Sequence, residues 1–565
     1  MSSSQDLSVE QCIAFKMMLD IRFFDAGDGP APVLTLPSLL AQELAEFGPC
    51  GVILFRENLD SVGQCQQLTA ELRDCLGPEV LIGVDQEGGR VTRLPRQETT
   101  SFSGNMAVAA CPVNEQDELA QGVGAAQAAE LLALGININF VPSLDVNSNP
   151  RNPVIGARAF GDTPAQVGRL GGELVKGLQS GGVAAAVKHF PGHGDTSQDS
   201  HVDLPCVTRS LEQAHAVDLA PFVQVIAEAD PAMVMTAHIQ YPALDASCIP
   251  GTDVIRPATL SRTMMTDLLR VRMGFTGVII TDALDMQAIS AMLTPAEAIL
   301  GCFKAGVDIA LMPLLVRSGQ SFGQLREALA MIADAVRTGD LDEKELRASV
   351  DRILALQQKF TGLEPGADAN AVIACQSHLA LEKRLAEASL TLLWGQLNTL
   401  DANAVVHLLM PGDESAGAMK AALLSASPSL RVSWQSLESF DPATERELLA
   451  NADLYLVGVS EPAVSAVALG GAEDLPHLPD HSPASVQKAL LSQTQNVQKV
   501  VVMLNSPYRA REFEPLADSV LATYDGATIG FGGRPGPAYE ALAKALCGQM
   551  GAVGEVPVTL PADSI

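Results

Sequence analysis

Fourteen consecutive residues carry a dense set of groups able to move protons: Lys188-His189-Phe190-Pro191-Gly192-His193-Gly194-Asp195-Thr196-Ser197-Gln198-Asp199-Ser200-His201. The chain has nine histidines, and three of them stand here, a concentration that packing does not require. An imidazole titrates near neutrality, and a carboxylate beside it raises its proton affinity and fixes its tautomer. His201 with Asp199 therefore reads as an acid/base pair, the ring oriented by its partner; the competing reading is a polar cluster on a surface loop. A second candidate is Asp282, in Val278-Ile279-Ile280-Thr281-Asp282-Ala283-Leu284-Asp285-Met286. A carboxylate at the polar end of an apolar run either caps the next helix or acts as a nucleophile or base. A third group is Asp85-Gln86-Glu87-Gly88-Gly89-Arg90-Val91-Thr92-Arg93. Carboxylates accept two sugar hydroxyls well, and a guanidinium donates in a planar fork. Arg158 is a further donor of this kind; for both, the alternative is ordinary ion pairing.

The elements that hold these groups show in the apolar runs. Met17–Asp20, Gly51–Arg56, Val80–Asp85, Ile136–Asp145, Val183–His189, Met233–His238, Gly277–Asp282 and Val307–Met312 are eight short runs, many ending in a polar residue. Stretches of helical periodicity lie between most of them, among them Ser61–Cys75, Glu118–Leu134, Pro164–Leu178 and Leu211–Ala229. Strand alternating with helix implies parallel strands, and eight repeats imply a (β/α)8 barrel. In that fold the active site is built at the strand C-terminal ends, where Asp85, His189, His238 and Asp282 all stand. The reading is α/β, a TIM-type barrel over residues 1–362. A linker and first helix of the next unit span 363–385, and a second α/β sandwich domain spans 386–565. That domain has a helix over Ser377–Leu393 and strands at Ala404–Met410, Leu430–Trp434, Leu454–Ser460, Val500–Asn505 and Val520–Asp525.

A formal net charge of −30 disfavours DNA, RNA and anionic membranes as partners, and leaves a small neutral substrate open. The ten cysteines are scattered with no C-x-x-C pair, the usage of a reducing compartment. The N-terminus shows no basic region before an apolar core, and no apolar stretch reaches the length of a membrane span; the expected location is the cytoplasm. Composition does not address the oligomeric state.

Asp85–Arg93, Arg158, Lys188–His201 and Thr281–Met286, in that order along the whole presumed barrel, resemble the motifs of glycoside hydrolase family 3, in its branch of β-N-acetylglucosaminidases. K-H-F-P-G-H-G-D-T followed by D-S-H is specific for that branch. The second domain resembles the α/β sandwich of two-domain members. The resemblance implies that Asp282 is the nucleophile of a retaining, exo-acting β-glycosidase and forms a covalent glycosyl-enzyme. It implies that His201 is the general acid/base with Asp199 as its partner. Asp85, Arg93, Arg158, Lys188 and His189 would grip sugar hydroxyls, His238 and Met286 would line the pocket, and His193 would be structural. No metal or organic cofactor is implied.

Two points stay open. The substrate is a small β-N-acetylglucosaminide or a β-glucoside; only two tryptophans are present, both outside the barrel strands, which favours a small pocket over a long cleft. The glycosyl-enzyme is resolved by water, by inorganic phosphate as co-substrate, or by both, because an imidazole in place of a second carboxylate removes most of a repulsion of about 4 kcal/mol at 4 Å and an effective dielectric of 20. Rival readings are a metal-dependent barrel hydrolase using His189, His193, His201 and His238 with Asp282, and a non-catalytic sugar-binding protein. Chelator insensitivity would dispose of the first, and turnover of a chromogenic β-glycoside of the second.

Overall fold

The computed structural model describes residues 3–196, 204–361, 369–460 and 483–562. Eight parallel strands form the first sheet: β1 Met17–Asp20, β2 Gly51–Leu54, β3 Leu81–Val84, β4 Ile138–Asn139, β5 Ala184–Phe190, β6 Met233–Thr236, β7 Val278–Ile280 and β8 Ala310–Leu311. They are hydrogen-bonded in chain order, and β1 also pairs with β8, Met17 opposite Ala310. A parallel bridge between Ile280 and Ile309 joins β7 to β8, so the sheet curls into a barrel. Each expected apolar run holds one of these strands, with β5 running one residue past its run, to Phe190. They read as continuous apolar runs because both faces of a barrel strand are covered, by side chains inside and helices outside; every residue of β1, β2, β3 and β5 is buried.

The outer helices start and stop where local chemistry requires. Ser61 caps Val62–Leu76 by accepting from Gln64 N. Thr294 and Glu297 close a capping box on Pro295–Ala305, which ends at Gly306 with φ +100°. The helices Val113–Ala133 and Pro164–Ser180 pack closely, since a Cβ on Gly177 would lie 2.2 Å from Gln121 O. The expected Leu211–Ala229 helix is not continuous. Leu211–Gln213 leads into a π turn, Ala214–Asp218, and an α-helix resumes at Ala220–Ala229. Pro221 has no N–H to continue the regular ladder, and the chain widens by one residue before it.

The second sheet has six strands: β9 Thr391–Gly395, β10 Val405–Met410, β11 Arg431–Ser436, β12 Leu454–Val459, β13 Gln498–Met503 and β14 Ser519–Ala522. Their order is β9-β14-β13-β12-β10-β11, all parallel except the edge strand β9, which runs antiparallel to β14. Sequence reading placed 391–393 at the end of a helix; that helix is Gln376–Ser389, and the chain then turns into β9. Side chains alternate across the sheet as the pleat demands. Tyr455, Val457, Val501 and Met503 join the apolar core that continues into the barrel, while Leu454, Leu456, Val500 and Val502 pack on the opposite side.

Polar contacts fasten this sheet to the loops at the barrel mouth. Ser101 N donates to Glu382 Oε1 at 2.7 Å, and Gly532 N donates to Gln97 O at 2.8 Å. The Asn147 amide donates to the Tyr508 hydroxyl. These contacts fall on the segments that follow β3 and β4, the same segments that carry Asp85–Arg93 and Arg158.

Candidate active site

Asp85 directly follows β3, and the turn at Gly88 and Gly89, with φ +90° and +53°, ends the extended run just past Glu87. Each glycine is required by contact as well, since a Cβ there would lie 2.8 Å from Phe102 O or Ser103 O. Gln86 fixes the base of the loop, its Oε1 accepting from Arg93 N at 2.9 Å and Leu94 N at 3.2 Å. As a result the Lys188 ammonium, at the end of β5, reaches Asp85 Oδ1 at 2.6 Å and Glu87 Oε1 at 2.7 Å. Arg158 completes the array with two bonds to Glu87, Nε–Oε2 at 2.9 Å and Nη2–Oε1 at 2.7 Å. Burial pushes the Glu87 carboxyl up, but Arg158 and Lys188 outweigh it and hold the group well below the usual carboxylate range. Arg93 is buried over the Phe55 ring, in the field of Asp85 and Glu87.

A second chain of bonds starts at Asp145, beyond β4. Its Oδ2 lies 2.6 Å from His189 Nδ1, and its Oδ1 accepts the backbone N–H of His193 at 2.6 Å and of His189 at 3.3 Å. A carboxylate can only accept, so His189 Nδ1 carries the proton and Nε2 is the ring's acceptor. Nε2 faces Arg158 Nη2 at 3.4 Å, which joins this chain to the first. Burial pushes Asp145 up, and His189 and His193 more than reverse it. His193 is buried with Nδ1 2.8 Å from Thr196 Oγ1, and burial pulls its pKa down to about 4.

Asp282 stands just past β7, partly buried, and its Oδ1 accepts Ala283 N at 2.8 Å. Its charge lies close enough to raise the proton affinity of His193 across the mouth. Behind the turn, His238 Nε2 donates to Ala283 O at 2.9 Å, while its Nδ1 pairs with Thr259 Oγ1 at 2.8 Å. Both ring nitrogens of His238 are thus engaged inside the protein, holding the residue that follows Asp282. Met286 is nearly buried at the start of the helical turn Gln287–Ser290.

The structure brings Asp85, Arg158, Lys188 and His189 into one bonded network, with Arg93 in its field and Asp282, His238 and Met286 on the β7 side of the same mouth. Asp199 and His201 lie outside the described residues. Two members of the network, Glu87 and Asp145, were not singled out. Both carried a readable signal: Glu87 lies within the acid-rich loop after β3, and Asp145 is the polar end of the fourth apolar run. A small cavity opens beside the network between Glu87, Arg158 and Gly104, closed from the second sheet by Asn505 and Tyr524.

Comparison with known proteins adds four findings. The profile of the Glycosyl hydrolase family 3 N terminal domain matches residues 36–356. Beta-hexosaminidase A of Pseudoalteromonas piscicida is 40% identical over 581 aligned positions, covering 98% of this chain and 97% of that protein. The structure of a glycoside hydrolase family 3 beta-N-acetylglucosaminidase from Paenibacillus sp. str. FPU-7 superimposes with a TM-score of 0.80 at 31% identity, covering 99% of this chain and 100% of that one. Beta-glucoside phosphorylase BglX has the same fold, with a TM-score of 0.78 at 20% identity over 98% of this chain and 94% of its own.

Proposed function

This chain belongs to glycoside hydrolase family 3 and is a β-glycosidase, and we propose that it removes terminal β-linked N-acetylglucosamine by two displacements, with water as the final acceptor. Asp282 attacks the anomeric carbon, and the bond to the leaving oxygen breaks as His201 delivers its proton. The neutral imidazole then takes a proton from water, whose oxygen displaces the Asp282 carboxylate and restores the β configuration. Asp199 orients the ring and favours its protonated form before the first step. Asp85, Lys188, Arg158, His189 and Arg93 hold the sugar hydroxyls. N-acetylglucosamine is preferred over glucose because the relatives above 30% identity carry a hexosaminidase or β-N-acetylglucosaminidase name.

One observation carries this reading: a partly buried carboxylate at the end of β7, held by Ala283 N–H, shares a barrel mouth with an ion-paired network suited to a polyhydroxy ligand. Asp282→Asn is expected to abolish turnover of an aryl β-N-acetylglucosaminide while leaving the melting temperature unchanged. A fluorinated, slowly released glycoside is expected to label Asp282, read by peptide mass spectrometry. A label on another carboxylate, or residual turnover in Asp282→Asn, overturns the assignment.

A further inference from the structure

At the opposite end of the barrel, where β1, β7 and β8 begin, three basic side chains gather around one acid. Asp308, two residues before β8, is buried, and its oxygens accept from five donors. Oδ1 takes Ser349 Oγ at 2.8 Å and Arg352 Nε and Nη2 at 3.0 and 2.7 Å. Oδ2 takes Ile279 N at 2.8 Å and the Arg270 guanidinium. Lys16, just before β1, is buried beside them, its ammonium donating to Val307 O at 3.0 Å and Ser349 Oγ at 2.6 Å. A carboxylate offers about four lone-pair sites, so Asp308 is saturated and still stands alone against three basic groups. We propose that the cavity beside this cluster is a binding site for a small oxyanion, a phosphate or a carboxylate. The inference is independent of the chemistry at the barrel mouth.

The cavity measures about 160 Å³, room for several water-sized groups. Lys16, Arg270, Ser349 and Arg352 form its polar side, and Phe303 and Leu346 its apolar side. Arg352 spends Nε and Nη2 on Asp308, while Nη1 hydrogen-bonds to none of the described residues; the side chain is 31% exposed, so a ligand can reach it. Glu345, a second acid on the rim, does not offset the excess. Both its oxygens are taken by Arg262, at 2.7 and 3.0 Å. A cluster serving only to fasten β7 and β8 to the helix Glu343–Phe360 would need one cation for its one acid, since each surplus buried charge is costly. An oxyanion supplies the missing acceptor, and charge-assisted bonds from guanidinium and ammonium are the strong ones. The state of Lys16 agrees with this. Burial pulls its pKa down to about 7; Asp308 acts against that, and Arg352 and Arg270 add to it. An anion in the cavity would favour the charged ammonium.

The test is isothermal titration of the full chain with inorganic phosphate and with acetate at matched ionic strength, with chloride as control, in wild type, Arg352→Gln and Ala348→Glu. Arg352→Gln removes one cation and its unused donor. Ala348 lines the cavity from an exposed helix position, so Ala348→Glu adds a repelling carboxylate while removing no bond, and it keeps the test decisive if Arg352→Gln does not fold. Wild type is expected to bind at least one of the two anions with a Kd below about 1 mM, and each variant to weaken that binding by about tenfold or more. Stronger binding of phosphate assigns the site to a phosphate ligand, and stronger binding of acetate to a carboxylate. At about 10 mM the bound anion is expected to raise the melting temperature of wild type by about 2 °C or more, and that of the variants by less than about 1 °C. No binding of either anion to wild type, or binding that a folded variant leaves unchanged, overturns the proposal.

Discussion

Glu87→Gln is the substitution whose consequences can be worked furthest. The wild-type carboxylate is 3% exposed and accepts three charge-assisted bonds, one from Lys188 and two from Arg158. The amide keeps the shape but removes the charge, leaving two buried cations with Asp85 as the partner of Lys188. Breaking a buried pair from one side costs about 3–5 kcal/mol. At roughly 2 °C per kcal/mol for a domain of this size, melting is expected to fall by about 6–10 °C. Positioning of Lys188 and Arg158 is lost with it; one charge-assisted bond to substrate, about 1.5–3 kcal/mol, corresponds to roughly a ten- to hundredfold fall in kcat/KM. The pH dependence has a definite sign. The folded pKa of Glu87 is depressed below its ordinary value of about 4.5, so the stabilisation is fully present above that pH and is lost as pH falls through the depressed value. The gap in melting temperature between wild type and variant should stay constant from pH 8 to about 5 and narrow in stronger acid. Scanning calorimetry across pH, with kcat/KM on an aryl β-N-acetylglucosaminide, checks both arms. A variant that melts within about 1 °C of wild type at pH 7 with unchanged kcat/KM refutes the argument that Glu87 holds the two cations.

Asp145→Asn should lower kcat/KM by roughly a hundredfold, because an amide cannot accept from His189 Nδ1 and both backbone N–H groups at once, and its own NH2 must face one donor. Imidazole nitrogen NMR would show a changed His189 tautomer; an unchanged tautomer and rate would refute it. Millimolar phosphate is expected to change neither rate nor product, with free sugar of retained configuration released; appearance of a sugar 1-phosphate would overturn water as the acceptor.

The barrel was legible because each strand is buried on both faces and ends where polarity begins, so eight apolar runs mark eight strands and their last residues mark the mouth. Asp85, His189, His238 and Asp282 were placed by that rule alone. Partnerships were not legible. Glu87 meets Lys188 and Arg158 across 101 and 71 positions of chain, and Asp145 meets His189 across 44, distances set by barrel closure and not by local pattern. Sequence also could not separate a histidine joined to the charged network from one that holds a turn; His238 has the same strand-end signal as His189, but its nitrogens meet Ala283 O and Thr259 and not Asp145 and Arg158. The missed edge strand β9 has a simpler cause. Thr391-Leu392-Leu393-Trp394 follows a helix without a glycine or proline between them, and only pairing with β14 distinguishes an extended run from one more helical turn.

The engagement of the cations supports the proposal of water as acceptor. Lys188, Arg158 and Arg93 would invite phosphate if their charge reached the reaction centre. Lys188 already contacts Asp85 and Glu87, Arg158 is held by Glu87 in a two-point pair, and Arg93 lies in the field of the same two acids. With Asp145 and Asp282 counted, four carboxylates stand against three cations among these described residues, so the mouth offers a dianion no net attraction. In the proposed mechanism Asp282 is esterified in the glycosyl-enzyme, and the balance among these residues would then reach zero. In the proposed mechanism the network would hold a neutral sugar through hydrogen bonds from paired groups, and that pairing would leave the cations little charge to recruit an anionic acceptor. Proton transfer from water to a neutral imidazole, the role proposed for His201, needs no cation to recruit the acceptor.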